Sequence, residues 1–174
     1  MKNEFLNEVK VVTVHRYLLK NNQPILMNTP AIVLETFKQF CMISDWWTPD
    51  KEVFIQFLLD SKHRAMAFNL ISLGLVDQAL VAPLETLRVP VMLNSRVIVL
   101  AHTHPSGNPD PSKEDLAVTK TIISSASLLG IKVLDHVILT PCQTHTAQIF
   151  SMRESGMVQF DGDETTRQIL KGLK

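Results

Sequence analysis

Runs of apolar residues separated by turn-forming residues divide the chain into short strands and helices. The stretch from Glu52 to Leu59 is almost continuously apolar, which is typical of a strand buried on both faces. Polar residues 60–63 predict a turn, and residues 64–73 predict an antiparallel partner strand. Further extended segments are expected at 9–19, 75–82, 96–102, 131–140 and 146–152, and the last should pair with the strand before it.

Three segments repeat apolar residues at helical spacing. The first is expected to be capped by Thr29 and to begin at Pro30, where a missing N–H group costs nothing. The second begins at Pro83, and its internal Pro90 is expected to kink it or divide it into two short pieces. The third is stopped by Gly130. The apolar positions are Ala31, Leu34, Phe37 and Cys41 in the first helix, which should face the core; Leu84, Leu87, Val91 and Met92 in the second; and Leu116, Ile122, Ile123, Ala126 and Leu129 in the third, which starts at Lys113.

The irregular alternation of strands and helices predicts an α/β fold, with a mixed, largely antiparallel β-sheet flanked by helices. The chain has 174 residues, 45% of them apolar, and is therefore large enough to bury one core. We expect an N-terminal arm and helix that pack on this core over residues 1–48, a main domain over 49–158, and a polar, peripheral tail over 159–174.

Charge and cysteine content bear on whether the protein binds nucleic acid, contains a zinc ribbon or is held together by disulfides. The 17 basic residues balance the 17 acidic ones, so nucleic acid is not expected as the main partner, although a local basic patch stays open. Cys41 and Cys142 match neither a zinc ribbon nor a disulfide framework. There is no signal-peptide core at the N-terminus and no apolar run near the roughly 18 residues of a membrane span, so we expect a soluble, cytoplasmic protein.

Two histidines at the end of the predicted strand over 96–102 are candidate metal ligands. His102 and His104 are two residues apart, and such residues face the same side of an extended chain, so both imidazoles can hold one ion. The following loop has three prolines and one glycine before Ser112, and it can fold back to deliver the carboxylate of Asp115. Two imidazole nitrogens and one carboxylate oxygen leave a tetrahedral zinc ion one ligand short, which distinguishes a catalytic site from a structural one.

Ser112 and Asp115 also fit a simpler structural role. A serine followed three residues later by an acidic residue is a common helix start, in which each side chain bonds the backbone of the other residue. That role accounts for these two residues and leaves the histidine pair unexplained. We therefore favour a metal site.

The spacing of His102, His104, Ser112 and Asp115 resembles the JAMM motif of the JAB/MPN family of zinc-dependent peptidases and isopeptidases. The Pro-Ser-Gly sequence after the second histidine and the stretch 134–138 are similar to the bacterial RadC-like branch of that family. The resemblance implies a cytidine-deaminase-like α/β sandwich and a metal-hydrolase function for the main domain.

The same resemblance, which covers about residues 50–158, implies a mechanism. Family members carry a glutamate upstream of the histidine pair, just ahead of an apolar strand, and Glu52 is the residue that matches. One zinc ion per chain, held by the two histidines and Asp115, would lower the pKa of a water ligand from 15.7 to about 7. Glu52 would act as general base and then general acid, and Ser112 would donate to the oxyanion. The implied substrate is a peptide bond, or an isopeptide bond on a lysine side chain, in a protein or peptide.

The sequence also bears on three other functions. A zinc nucleobase deaminase needs His-x-Glu and a later Pro-Cys-x-x-Cys, and the sequence has neither. A non-haem iron oxygenase also uses two histidines and one carboxylate, but the loop motif does not favour it. A non-hydrolytic module in DNA repair or recombination with a structural metal site stays open, and salt-dependent DNA binding would support it.

The remaining histidines have simpler expected roles. His15, His63 and His145 are expected to be surface or core residues rather than ligands. Asp135 and His136 lie within an apolar strand and are expected to form a buried, hydrogen-bonded pair that holds the sheet together. The alternative is that they orient a zinc-bound imidazole.

Overall fold

The computed structural model of the chain describes residues 19–20, 23–43, 48–74, 81–140 and 147–160. In chain order the elements are β1 (Leu19–Lys20), β2 (Gln23–Pro24), α1 (Pro30–Ile43), β3 (Val53–Leu59), β4 (Ala65–Leu73), α2 (Pro83–Met92), β5 (Val97–Thr103), α3 (Lys113–Leu128), β6 (Lys132–Leu139) and β7 (Ile149–Ser151). The predicted extended segments at 9–19 and 75–82 and the C-terminal tail lie largely outside the described residues.

Five strands form one mixed sheet in the order β4-β3-β5-β6-β7. β3 is antiparallel to both of its neighbours, and β7 is antiparallel to β6. Within this sheet only β5 and β6 run parallel, and helix α3 makes the crossover that a parallel pair requires. The prediction of a mixed, largely antiparallel sheet flanked by helices is confirmed.

Helices cover both faces of this sheet. On one face, Phe37 of α1 shares a core with alternate residues of the central strands, including Ile55 and Val99. On the other face, Ile122 of α3 shares a core with Leu100 and its neighbours. All seven residues of β3 are buried because the strand is covered on both sides, as its apolar sequence predicts.

Helix α1 begins as the sequence predicts but turns a slightly different face to the core. Thr29 Oγ1 accepts a hydrogen bond from the Ile32 N–H at 3.4 Å, which confirms the cap. Cys41 is buried as expected, whereas Ala31 is exposed. Ala31 lies two residues before the buried Val33, hence roughly 200° around the helix from it.

Of the four apolar positions that mark α2 in the sequence, only Leu87 belongs to its buried face. Leu84, Val91 and Met92 are 73%, 55% and 72% exposed, while Leu87 is buried. The helix instead turns Thr86, Leu87, Val89 and Pro90 to the core. Leu129, at the end of α3, is likewise half exposed, so apolar spacing alone misjudges these helix ends.

Pro90 lies inside a single helix, so of the two predicted outcomes, a kink or a division into two short pieces, the division does not occur. A proline removes the N–H that would bond the carbonyl four residues earlier, here that of Thr86. The buried side chain of Gln56 on β3 supplies the missing donor, because its Nε2 donates to the Thr86 carbonyl at 2.8 Å.

None of the described helices is both long and apolar enough to cross a bilayer.

Candidate metal centre

Three side chains from the end of β5 and the start of α3 meet at one point. His102 lies in β5, His104 directly follows it, and Asp115 is in the first turn of α3. His102 Nε2 is 2.9 Å from His104 Nε2 and 3.2 Å from Asp115 Oδ1, and His104 Nε2 is 3.5 Å from Asp115 Oδ2. The structure thus brings together the three residues that the sequence predicts as metal ligands, with one potential ligand atom of each within 4.8 Å of the others.

The sheet holds both histidines on one face. His102 is 1% exposed, and its ring stacks on that of Phe54 in β3 with 5.7 Å between the ring centroids. The backbone N–H of His104 donates to the carbonyl of Leu139 at 2.9 Å, which extends the β5–β6 pairing one residue past the strand. The extended backbone therefore keeps the two imidazoles on the same side, as their spacing predicts.

The loop after β5 orients His104. Its Nδ1 is 2.9 Å from the backbone carbonyl oxygen of Asn108. A carbonyl can only accept, so Nδ1 carries the proton and the neutral ring presents a lone pair at Nε2. Gly107, with φ of 80°, forms the tight turn between these residues, in a conformation that glycine adopts without strain. The loop folds back toward α3 and directs Nε2 at Asp115.

Ser112 and Asp115 form a capping box at the start of α3. Ser112 Oγ accepts from the Asp115 N–H at 3.0 Å, and Asp115 Oδ2 accepts from the Ser112 N–H at 2.8 Å. The Ser112 hydroxyl also donates to Oδ2 at 2.6 Å. The capping role and the proximity to the histidines are therefore compatible, because the cap holds Oδ2 while Oδ1 lies next to His102.

The charges of these groups depend on one another. Burial opposes ionisation of Asp115, but hydrogen bonds with His102 and His104 outweigh it and hold the pKa of the carboxyl far below its ordinary value of 3.8. The hydrogen bond to Asp115 raises the pKa of His104 above 6.5, although partial burial opposes this. Asp115 is therefore an anion at neutral pH, while a proton competes with any cation for His104.

Glu52 lies directly before β3 and is half-buried. Phe54 pairs with His102 at the last position of the antiparallel β3–β5 ladder, and Glu52 and His104 each lie two residues beyond that pair, at the same edge of the sheet. After the hydrogen bonds that His104 makes with Asp115 and Asn108, the negative charge of Glu52 also helps to raise its pKa. The structure thus brings Glu52 to the same end of the sheet as the other predicted site residues.

Thr103, between the two histidines, holds the backbone on either side of Glu52. Its Oγ1 accepts from the Val53 N–H at 2.9 Å and donates to the Lys51 carbonyl at 3.3 Å. The sequence does not predict this role. The alternation of side chains along β5 is the only signal, since it sends Thr103 away from the face of the histidines.

Asp135 and His136 are buried and hydrogen-bonded to each other as predicted, but the bond joins the carboxylate to the backbone N–H of His136. The Asp135 carboxylate accepts from the Ser151 hydroxyl at 2.6 Å, from the Arg153 N–H at 3.1 Å, and from the backbone N–H of His136, not its imidazole, at 2.7 Å. Consecutive residues of a strand point to opposite faces, so the carboxylate and the imidazole do not meet. A register shift in the β5–β6 pairing, where Ile98 pairs with Val133 but the next residue pairs with Asp135, decides which of the two faces the site. Burial raises the pKa of Asp135 in spite of these donors.

The register shift places the imidazole of His136 on the face of His102. His136 Nε2 is 2.8 Å from His102 Nδ1, and His136 Nδ1 is 2.6 Å from Thr119 Oγ1 on α3. Burial and the neighbouring His102 lower the pKa of His136 well below 6.5, so its ring is neutral. Thr119 is not among the predicted site residues, although its position four residues after Asp115 puts it on the same face of α3.

The geometry of the three ligand atoms suits a zinc ion. Ligand atoms about 2.0–2.1 Å from a tetrahedral zinc ion are roughly 3.3 Å from one another. The separations are 2.9 Å between the two Nε2 atoms, 3.2 Å from His102 Nε2 to Asp115 Oδ1 and 3.5 Å from His104 Nε2 to Oδ2 of the same carboxylate, and all are close to that value. In the part of the chain that the structure describes, no other group of three histidine, cysteine or acidic residues meets this closely.

Fold and site together define the class: an α/β sandwich in which two histidines and an aspartate can hold a metal ion at the end of a parallel strand pair. The RadC-like JAB domain family matches residues 27–157. The chain therefore belongs to the RadC-like JAB domain family, as its motif predicts. The match includes α1, which lies upstream of the region where the resemblance was expected to begin.

Bacterial relatives support the same assignment. A UPF0758 protein of Xanthomonas oryzae pv. oryzae (strain PXO99A) is 43% identical over 88 residues, which cover 51% of this chain and 39% of the relative. A UPF0758 protein of Alkaliphilus metalliredigens (strain QYMF) is 44% identical over 89 residues, which cover 51% of this chain and 38% of the relative. The chain thus spans less than half of the length of these relatives.

Proposed function

We propose that this RadC-like domain is a zinc-dependent metallohydrolase that cleaves a peptide bond, or an isopeptide bond on a lysine side chain, in a protein or peptide. The observation that carries the proposal is the convergence of His102, His104 and Asp115 on one position. Three protein ligands leave one position of a tetrahedral zinc ion open, as in catalytic sites. A cytoplasmic location is part of the proposal, and the balanced charge argues against nucleic acid as the main ligand.

A zinc ion bound there would supply a Lewis acid that lowers the pKa of water from 15.7 to about 7. The protein contributes the proton transfers and the positioning. Glu52, which lies at the same edge of the sheet as His104, would take the proton of the attacking water on its carboxylate and deliver it to the leaving amine. The loop bond from His104 Nδ1 to the Asn108 carbonyl makes Nε2 the nitrogen that carries the lone pair in the neutral ring.

Ser112 would donate a hydrogen bond to the oxygen of the scissile carbonyl as negative charge develops there. Its hydroxyl now donates to Asp115 Oδ2 at 2.6 Å, so serving the substrate requires only that the hydroxyl hydrogen rotate. Asp115 keeps its place during this rotation because the Ser112 N–H still donates to Oδ2 at 2.8 Å. Ser112 can therefore cap the helix and serve the substrate in turn.

Metal analysis of the purified protein tests the site. We expect about one zinc ion per chain in the wild type and its loss in H104A and D115A, since each removes one of three protein ligands. H63N is a matched control, because His63 lies in the turn at the opposite end of β3 from Glu52 and its positive φ suits asparagine. Stoichiometric zinc in H104A or D115A would remove that residue from the site.

Hydrolysis is tested separately from metal binding. Pools of linear peptides and of peptides branched at a lysine side chain serve as probes. E52Q should retain zinc and lose about 10²- to 10⁴-fold in the rate of cleavage, because the amide cannot accept the proton. An active E52Q would place the general base elsewhere. Zinc-loaded wild type that cleaves neither pool but binds duplex DNA in a salt-dependent manner would favour the non-hydrolytic role.

A further inference from the structure

A series of hydrogen bonds behind the candidate metal site connects the side chain of His102 to the backbone of Asp115. His102 Nδ1 is 2.8 Å from His136 Nε2, and His136 Nδ1 is 2.6 Å from Thr119 Oγ1. Thr119 Oγ1 in turn is 2.5 Å from the backbone carbonyl oxygen of Asp115. His136 and Thr119 are fully buried, so water does not compete for these bonds. These hydrogen bonds connect β5, β6 and α3 behind His102 and Asp115.

With neutral imidazoles, the donors and acceptors permit two proton arrangements. In the first, His102 Nδ1–H donates to His136, His136 Nδ1–H donates to Thr119, and the Thr119 hydroxyl donates to the Asp115 carbonyl. His102 Nε2 then presents a lone pair to the site, and its separations of 2.9 Å from His104 Nε2 and 3.2 Å from Asp115 Oδ1 require a cation, or a proton on His104, between these atoms. In the second, His136 Nε2–H donates to His102 and the hydrogen on His102 Nε2 points into the site, where it would exclude a cation.

The contact between Thr119 and Asp115 selects the first arrangement. In the second, the Thr119 hydroxyl would donate to His136, and its oxygen would face the Asp115 carbonyl oxygen at 2.5 Å with no hydrogen between them. Two acceptors at that distance repel each other. The hydroxyl therefore donates to the carbonyl and accepts from His136, which leaves His136 Nε2 free to accept from His102.

We propose that His136 and Thr119 are positioning residues that hold His102 in its metal-binding tautomer. This inference rests on the proposed metal-dependent function. Partners of this kind fix the ring orientation and tautomer of a ligand histidine, and their loss lowers metal affinity about 10- to 100-fold. Phe54 supports the arrangement, since it packs against both rings with centroid separations of 5.7 and 5.2 Å.

Zinc affinity, measured by competition with a chromophoric chelator, tests the proposal. T119V removes the hydroxyl and keeps the shape, and we expect it to weaken zinc binding about 10-fold or more. T119S keeps the hydroxyl and should stay within about 3-fold of the wild type. T121V is the matched control, because Thr121 is exposed on the same helix and its hydroxyl donates to the Ala117 carbonyl at 3.0 Å in the same manner. It should bind zinc as the wild type does.

The outcomes separate this inference from the proposed function. Equal zinc affinity in T119V and the wild type, with zinc lost in H104A, would overturn the positioning role and leave the metal site standing. A wild-type protein that binds no zinc would overturn both. H136Q keeps an acceptor for His102 Nδ1–H and should bind zinc more tightly than H136L; equal affinity of the two would overturn the role of His136.

A spectroscopic measurement reads the tautomer directly. In the zinc-bound wild type labelled with ¹⁵N-histidine, two-bond ¹H–¹⁵N spectra should show His136 protonated at Nδ1 and unprotonated at Nε2. A residue that merely fills space has no reason to hold this tautomer. Protonation of His136 at Nε2 in the zinc-bound protein would overturn the proposal.

Discussion

At the scale of a single residue, Asp135 connects strand β6 to the segment that begins with Ser151. Its carboxylate accepts three hydrogen bonds, from the Ser151 hydroxyl and from the N–H groups of His136 and Arg153. Burial nevertheless raises its pKa, so the negative charge itself is not what stabilises the fold. The acceptor geometry of this side chain matters more than its ionisation.

Replacing Asp135 separates the two contributions. D135A leaves three donors without this acceptor, two of them buried, and should lower the free energy of unfolding by about 2–4 kcal/mol. D135N keeps an oxygen for both N–H groups and can donate to Ser151, so its cost should stay below about 1 kcal/mol. Urea unfolding of the three proteins measures this difference. Equal destabilisation in both variants would show that the charge is needed.

His104 sets the pH dependence expected of the metal site. Metal binding requires a neutral imidazole, and the hydrogen bond to Asp115 raises the pKa of His104 above 6.5 in the metal-free protein. As the pH falls through that raised pKa, a proton increasingly occupies the ligand nitrogen. Asp115 adds no dependence in this range, because its pKa lies far below neutral.

We therefore expect the zinc affinity to begin to fall while the pH is still above 6.5, and then to drop about tenfold per pH unit for a single competing proton. Calorimetric titration with zinc between pH 5.5 and pH 8, in buffers of different ionisation enthalpy, measures both affinity and proton release. An affinity that is constant over this range would contradict the raised pKa of His104.

At the scale of elements, α2 and β3 depend on each other through one hydrogen bond. Pro90 leaves the carbonyl of Thr86 without its helical donor, and Gln56 of β3 donates to it at 2.8 Å. Thr86 and Gln56 are both fully buried, so water cannot take over this bond. A polar residue in the middle of an apolar strand thereby allows a proline within the helix that covers it.

A double-mutant cycle tests this dependence. Q56L should lower the free energy of unfolding by about 1–3 kcal/mol, because the Thr86 carbonyl loses its donor. P90A restores a backbone N–H four residues after Thr86, so it should recover part of this loss and stabilise Q56L more than it stabilises the wild type. Urea unfolding of the four proteins gives the coupling free energy. Strictly additive effects would show that Gln56 does not substitute for the helical donor.

Helix α3 carries three parts of the site in its first two turns. Ser112 caps it, Asp115 faces the histidines, and Thr119 closes the hydrogen-bond chain behind His102. These residues are three and four positions apart, so they lie along one side of the helix. The position of α3 on the sheet therefore decides the geometry of the whole centre.

At the scale of the molecule, the candidate site connects the central strand β5 to α3. The hydrogen bond between His102 and His136 connects β6 to the same site. Zinc that binds only the folded protein should stabilise the whole domain by about 2.7 kcal/mol at a free concentration 100 times its Kd. For a domain of this size that corresponds to a rise in Tm of roughly 5–10 °C. Thermal unfolding with zinc and with a chelator measures it. A rise of equal size in D115A would place zinc elsewhere.

Much of the fold follows from local pattern. The apolar run of β3, the cap at Thr29 and the stop at Gly130 are each visible in the sequence, because burial on two faces, capping and positive φ each need particular residues. The buried faces of helices are less visible. Leu84 and Met92 are apolar yet exposed, because the sheet determines which side of α2 is covered.

By itself the sequence determined the kind of sheet, through the pattern of apolar residues, and the family and the three residues that can hold a metal, through a motif that resembles those of known members. Only the tertiary structure decided what lies behind His102. A one-residue register shift between β5 and β6 turns the imidazole of His136 toward the site and sends the Asp135 carboxylate to Ser151 instead. Such a shift depends on pairing between strands that are distant in sequence, and no local pattern records it.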